Sequence, residues 1–86
     1  MRLNPAQQIA AKRTLEVLES ITAGLPLTVA FDEAERAVGR PITQTDRDYL
    51  EALMEREGWI VHRVDRFTGR IIHNITPSGS GTLAVL

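Results

Sequence analysis

The sequence predicts an α+β domain in which three helices precede a β-hairpin. Three observations lead there. Residues 5–57 carry apolar side chains at helical spacing, cut into three segments by Pro, Gly and polar clusters. Residues 59–75 change to two β-rich runs, Trp59–Val64 and Ile71–Ile75. Between those runs lies a polar reversal, Asp65-Arg66-Phe67-Thr68-Gly69-Arg70.

The first helix is expected over Pro5–Ala23. Asn4 can cap it, Pro5 suits its first position, and Gln7 stands three residues after the cap. Ala11, Leu15, Leu18, Thr22 and Leu25 share one side, with Thr14 and Ile21 beside them. Gly24-Leu25-Pro26 stops it. Leu27-Thr28-Val29 reads as a short extended piece. The second helix is expected over Phe31–Val38, with Phe31, Ala34, Ala37 and Val38 as its apolar stripe. Asp32, Glu33 and Glu35 read as early helix residues on a solvated face. Gly39 closes that helix and Arg40-Pro41-Ile42 is the turn.

Thr43 is the expected cap of the third helix, with Asp46 as the reciprocal residue of a variant capping box. Tyr49, Leu50, Leu53 and Met54 form its core face, and Gly58 closes it. A loop at Arg66–Gly69 pairs Asp65 with Arg70, Val64 with Ile71, His62 with His73 and Ile60 with Ile75. Ile60, Val64, Ile71 and Ile75 then share the face that packs on the helices. Pro77-Ser78-Gly79-Ser80-Gly81 reads as flexible and polar, and Thr82–Leu86 as an apolar tail. The expected organisation is one domain over residues 1–79 and a flexible or docked tail over 80–86.

Composition sets outer bounds. The chain has 86 residues and a formal net charge of −1, less basic than most DNA-binding domains. It has no cysteine, which excludes disulfides and thiolate metal sites. No apolar run approaches the ~20 residues of a membrane span. The start, Met1-Arg2-Leu3-Asn4-Pro5, lacks a secretory leader's apolar stretch. A cytoplasmic location without membrane association is the expectation. Ser78 and Ser80 sit in no nucleophile elbow, and no phosphate-binding glycine loop occurs. Neither an enzyme nor a bound cofactor is expected. His62 and His73 face each other across the hairpin, one ligand short of a catalytic zinc site, so no metal is expected.

The order of helix, short strand, helix, turn, helix and hairpin resembles the winged helix-turn-helix superfamily. The hairpin wording is similar to MarR-like and PadR-like bacterial regulators. It matches through Gly58-Trp59-Ile60, Arg63, Asp65, Gly69-Arg70 and the exit Ile75-Thr76-Pro77-Ser78-Gly79. That resemblance covers residues 5–79. It implies a DNA-binding transcriptional regulator, with the third helix in the major groove and the hairpin as a wing on neighbouring backbone. Carried over by position, helix contacts fall to Gln44, Thr45, Arg47, Asp48 and Glu51. Wing contacts fall to Arg63, Arg66, Thr68 and Arg70. With one helix before the motif and a short tail, the chain looks more like small phage and prophage winged-helix proteins than like full-length MarR-type dimers. A homodimer on paired half-sites is the implied assembly.

Charge runs against the usual division of labour. Thr43–Glu57 holds Arg47 and Arg56 against Asp46, Asp48, Glu51, Glu55 and Glu57, a net of −3. Gly58–Ile75 holds Arg63, Arg66 and Arg70 against Asp65, a net of +2. Phosphate attraction therefore belongs to the wing. The quieter readings are an Arg47–Glu51 pair along the helix and an Asp65–Arg70 pair across the hairpin. Trp59 is a packing residue or a partner anchor. The alternative function is a protein–protein module without DNA affinity, working through the acidic third helix or the apolar tail.

Overall fold

The computed structural model describes residues 3–86. Its elements are α1 (Pro5–Ser20), α2 (Leu27–Val38), α3 (Gln44–Arg56), β1 (Ile60–Val64), β2 (Ile71–Ile75) and α4 (Pro77–Leu83). The architecture is α+β, with four helices and a two-stranded antiparallel sheet.

Helix α1 begins with a full capping box. Asn4 Oδ1 accepts the Gln7 amide at 2.7 Å, and Gln7 Oε1 accepts the Asn4 amide at 3.1 Å. Ala10, Ala11, Thr14, Leu15 and Leu18 are its buried face, and the Thr14 hydroxyl is satisfied by the Ala10 carbonyl at 2.8 Å. The helix stops at Ser20, short of the expected Ala23. The reason lies in the hairpin, whose Asn74 and Arg63 side chains donate to the Thr22 and Ala23 carbonyls. Those carbonyls find partners outside a helix, and Thr22 and Ile21 are exposed rather than in the core.

Helix α2 starts one turn earlier than expected. Leu27, Ala30, Phe31 and Ala34 are all buried, an i, i+3, i+4, i+7 stripe that an extended Leu27-Thr28-Val29 would break. The carbonyl of Pro26 accepts the amides of Val29 and Ala30 and so opens the helix. Ala37 is exposed. In α3, Thr43 Oγ1 accepts the Asp46 amide at 3.2 Å, as the sequence suggests. The Asp46 carboxylate, though, accepts from Gln7 Nε2 at 3.2 Å and ties α3 to the start of α1. Leu50, Leu53 and Met54 are buried, while Tyr49 is partly exposed.

The hairpin has the expected register: Ile60↔Ile75, His62↔His73 and Val64↔Ile71. A short extended piece also exists, at Leu25 instead of 27–29. Leu25 and His73 exchange two backbone hydrogen bonds, 3.1 and 2.7 Å. This fastens β2 to the α1–α2 connection. The hairpin base is therefore buried on both faces, through Ile60 and His73 on one and Ile72 on the other. The outer half leaves the body. Val64 and Ile71 are 60% and 57% exposed, so they are not the core residues expected from the face pattern.

The exit segment Pro77–Gly81 is not a flexible stretch but most of α4, which runs past residue 79 to Leu83. Thr76 caps it by accepting the Gly79 amide at 3.0 Å, and Pro77 takes the first helical position. Gly79 is buried against the backbone of Trp59. A Cβ there would stand 2.1 Å from the Trp59 carbonyl oxygen and 2.7 Å from Ile75 Cγ1. Leu83 and Leu86 pack against the core beside Trp59.

Gly79→Ala is expected to destabilise the protein by about 1–3 kcal/mol, since backbone must move. Gly81→Ala meets nothing within 4 Å and is expected to be neutral or stabilising. Urea unfolding of the two variants checks the contrast.

Candidate functional site

Hairpin residues Asp65–Arg70 form a self-supporting tip. The Asp65 amide donates to the Arg70 carbonyl, and the Gly69 amide to the Asp65 carbonyl, both at 2.8 Å. Gly69 has φ +70°, a left-handed conformation that favours glycine. The Asp65 carboxylate accepts the Phe67 amide at 3.0 Å and the Thr68 hydroxyl at 3.1 Å. The Phe67 amide, with help from the Thr68 hydroxyl and the Arg63 charge, holds the Asp65 carboxyl below its ordinary pKa. The expected Asp65–Arg70 ion pair does not form, because the carboxylate is turned into its own loop.

This folding of the tip frees three neighbours. Phe67 is 98% exposed. Arg66 and Arg70 are exposed, and their side chains make no hydrogen bond or ion pair among the described residues. Thr68 is held within the turn, donating to Asp65 and accepting the Arg70 amide at 3.3 Å. Arg63 lies lower, two positions before Asp65, and is tethered. Its guanidinium donates to the Ala23 carbonyl at 2.8 Å and to Asn74 Oδ1 at 3.4 Å. Of the four expected wing contacts, Arg66, Thr68 and Arg70 share the tip, and Arg63 braces the base.

The contacts expected from α3 separate. Gln44 and Thr45 lie exposed on its first turn, with Gln44 Nε2 donating to Asp48 at 2.8 Å. Asp48 and Glu51 are also exposed. Arg47 turns inward, its side chain only 13% exposed. It donates to the Ile42 carbonyl at 3.0 Å, to Asp32 at 3.0 Å and to Glu35 at 3.3 Å, with its guanidinium 5.5 Å from the Phe31 ring centroid. Glu35 also accepts the Ile42 amide at 2.7 Å. Arg47 thus staples the α2–α3 turn; it pairs with Asp32 and Glu35, not with Glu51. The two acids on α2 are its partners rather than a merely solvated face.

A second cluster was not anticipated. Glu55 Oε1 lies 2.9 Å from His62 Nδ1 and 3.1 Å from His73 Nε2. The three donor atoms lie within 4.8 Å of one another. The two histidines are legible from the hairpin register, but Glu55 comes from α3 and no short spacing announces it.

In comparisons with protein-family models, curated proteins and solved structures, nothing matches this chain. Among the described residues, no helix is long and apolar enough to cross a membrane. A cleft of about 160 Å³ between α1 and the α2–α3 turn is smaller than the roughly 300–1,000 Å³ typical of small-molecule sites.

Arg47→Ala is expected to cost about 1–2 kcal/mol. That is below the 3–5 kcal/mol of a fully buried pair, because Asp32 and Glu35 are partly exposed. Arg36→Ala, which breaks only the surface pair with Glu33, is expected to change stability little. Denaturant titration of both variants distinguishes a staple from a surface charge.

Proposed function

We propose that the protein is a small winged-helix protein that binds duplex DNA, with its wing as the principal source of attraction. The observation that carries this reading is the tip: two uncommitted arginines, Arg66 and Arg70, on either side of the fully exposed Phe67. Cations placed this way neutralise phosphates and release counterions. An apolar wedge beside them suits a minor groove, where side chains of this kind insert at base steps. The Leu25–His73 bridge supports the winged-helix assignment, because it adds a short third strand to the hairpin.

Helix α3 is a poor source of phosphate affinity in this reading. Its exposed residues include Gln44, Thr45, Asp48 and Glu51, with Arg47 withdrawn. Gln44 and Thr45 can contact base edges, and a carboxylate can accept from cytosine N4. The helix would then discriminate among sequences that the wing holds. The protein would be a non-catalytic transcriptional regulator of phage or prophage type, paired on two half-sites to double a modest contact.

A second reading has its own observation. Val61, Val64 and Ile71 are more than half exposed on the hairpin, beside an acidic α3 surface. Arg and large apolar side chains are also what a protein-binding hot spot uses. In that case the chain is a protein–protein module.

Titration with generic duplex DNA at two salt concentrations decides between them. The DNA reading predicts binding whose log–log salt slope is about −2 to −3 per chain, from two to three phosphate contacts. Arg66→Ala and Arg70→Ala each reduce the slope by about one, and Gln44→Ala leaves it unchanged. Absence of binding at low salt contradicts the DNA reading and favours the protein module.

A further inference from the structure

We propose that Glu55, His62 and His73 form a binding site for a divalent transition-metal ion of the zinc type. This site is independent of the nucleic-acid reading. Its three donors come from three elements: the last turn of α3, β1 and β2. Two imidazole nitrogens and a carboxylate oxygen are the donor set of zinc sites with three protein ligands and an open fourth position. Imidazole favours zinc, cobalt, nickel and copper over calcium and magnesium, which take oxygen.

The geometry is close to that of a coordination sphere. In a tetrahedral site with bonds of about 2.0–2.1 Å, neighbouring donors stand roughly 3.3 Å apart. Here the carboxylate oxygen lies 2.9 and 3.1 Å from the two ring nitrogens. An ion replacing the two protons needs those pairs to open by a few tenths of an ångström. The two rings already face each other, with centroids 5.8 Å apart.

The donors are held in place by the fold. His73 is 95% buried, being 5% exposed, and its backbone amide and carbonyl are both taken by Leu25. Its pairing with His62 is therefore the non-hydrogen-bonded kind, which brings side chains closer. The Trp59 amide donates to the Met54 carbonyl at 2.9 Å and fixes β1 against the turn that carries Glu55. Solvent reaches the cluster through the exposed His62 side chain.

One feature sets the expected strength. His73 Nδ1 is buried and has no hydrogen-bond partner. Metal-bound histidines usually donate that second nitrogen to an acceptor, and losing such a partner weakens binding by about 10–100-fold. The dissociation constant is therefore expected in the micromolar range. The bound ion would join the end of α3 to the hairpin base and stiffen the joint between them.

The test uses the untagged full chain at neutral pH with Co²⁺ as the probe. Expected are visible d–d absorption bands saturating at one ion per chain, displacement by Zn²⁺, and a rise in melting temperature with Zn²⁺. His62→Ala and Glu55→Gln are each expected to weaken Co²⁺ binding at least about tenfold, and to abolish the Zn²⁺-dependent rise. His62 is exposed, so its removal leaves the core intact and keeps the test decisive. The proposal is overturned if no saturable binding is seen up to about 1 mM metal. It is equally overturned if both variants bind as the unsubstituted chain does.

Discussion

The two backbone hydrogen bonds between Leu25 and His73 determine what the hairpin can do. An isolated two-stranded hairpin is marginal in water. Here β2 is pinned on both edges, by β1 on one side and Leu25 on the other. The same pin ends α1 early, because Asn74 and Arg63 reach the carbonyls of Thr22 and Ala23. It buries Ile72 on one face and brings His73 to Glu55 on the other. What is fixed at the base is then released at the tip, where Val64, Phe67 and Ile71 stand in solvent.

Much of this fold can be read from local chemistry. The Asn4–Gln7 capping box, the Thr43 cap and the hairpin register all follow from short-range rules, and each is present. The departures have tertiary causes. Leu27 belongs to a helical stripe that becomes visible once Pro26 is read as the residue before the helix rather than as a break after a strand. Thr76-Pro77-Ser78-Gly79 contains a cap, a first-turn proline and a glycine, which are helix-start signals, yet its Gly and Ser content resembles a linker. Only the close approach to Trp59 shows why Gly79 is needed. Alternation along the strands places Val64 and Ile71 on the core face, but it cannot tell where the hairpin outruns the body.

The candidate site divides the same way. Arg66, Thr68 and Arg70 are legible because a turn must be exposed and its charges lie close in sequence. Arg47 misleads, since position on the helix suggests a groove contact while Asp32, Glu35 and the Ile42 carbonyl claim it from another element. Glu55 is missed for the converse reason. It looks like one more acid on an acidic helix, and its meaning comes from two histidines 7 and 18 residues away. The net result sharpens the charge asymmetry: α3 offers the solvent more acid than its sequence implies, and the tip keeps two arginines unspent.

Amide hydrogen exchange followed residue by residue tests the anchored hairpin most directly. The account predicts that the Leu25 and His73 amides exchange together, and as slowly as amides that open only on global unfolding. Tip amides such as Arg66 should exchange far faster. Rapid exchange at Leu25 and His73, at rates matching the tip, would mean that the hairpin swings free of the helices. The arrangement of cations, wedge and metal donors described above would then have no fixed frame.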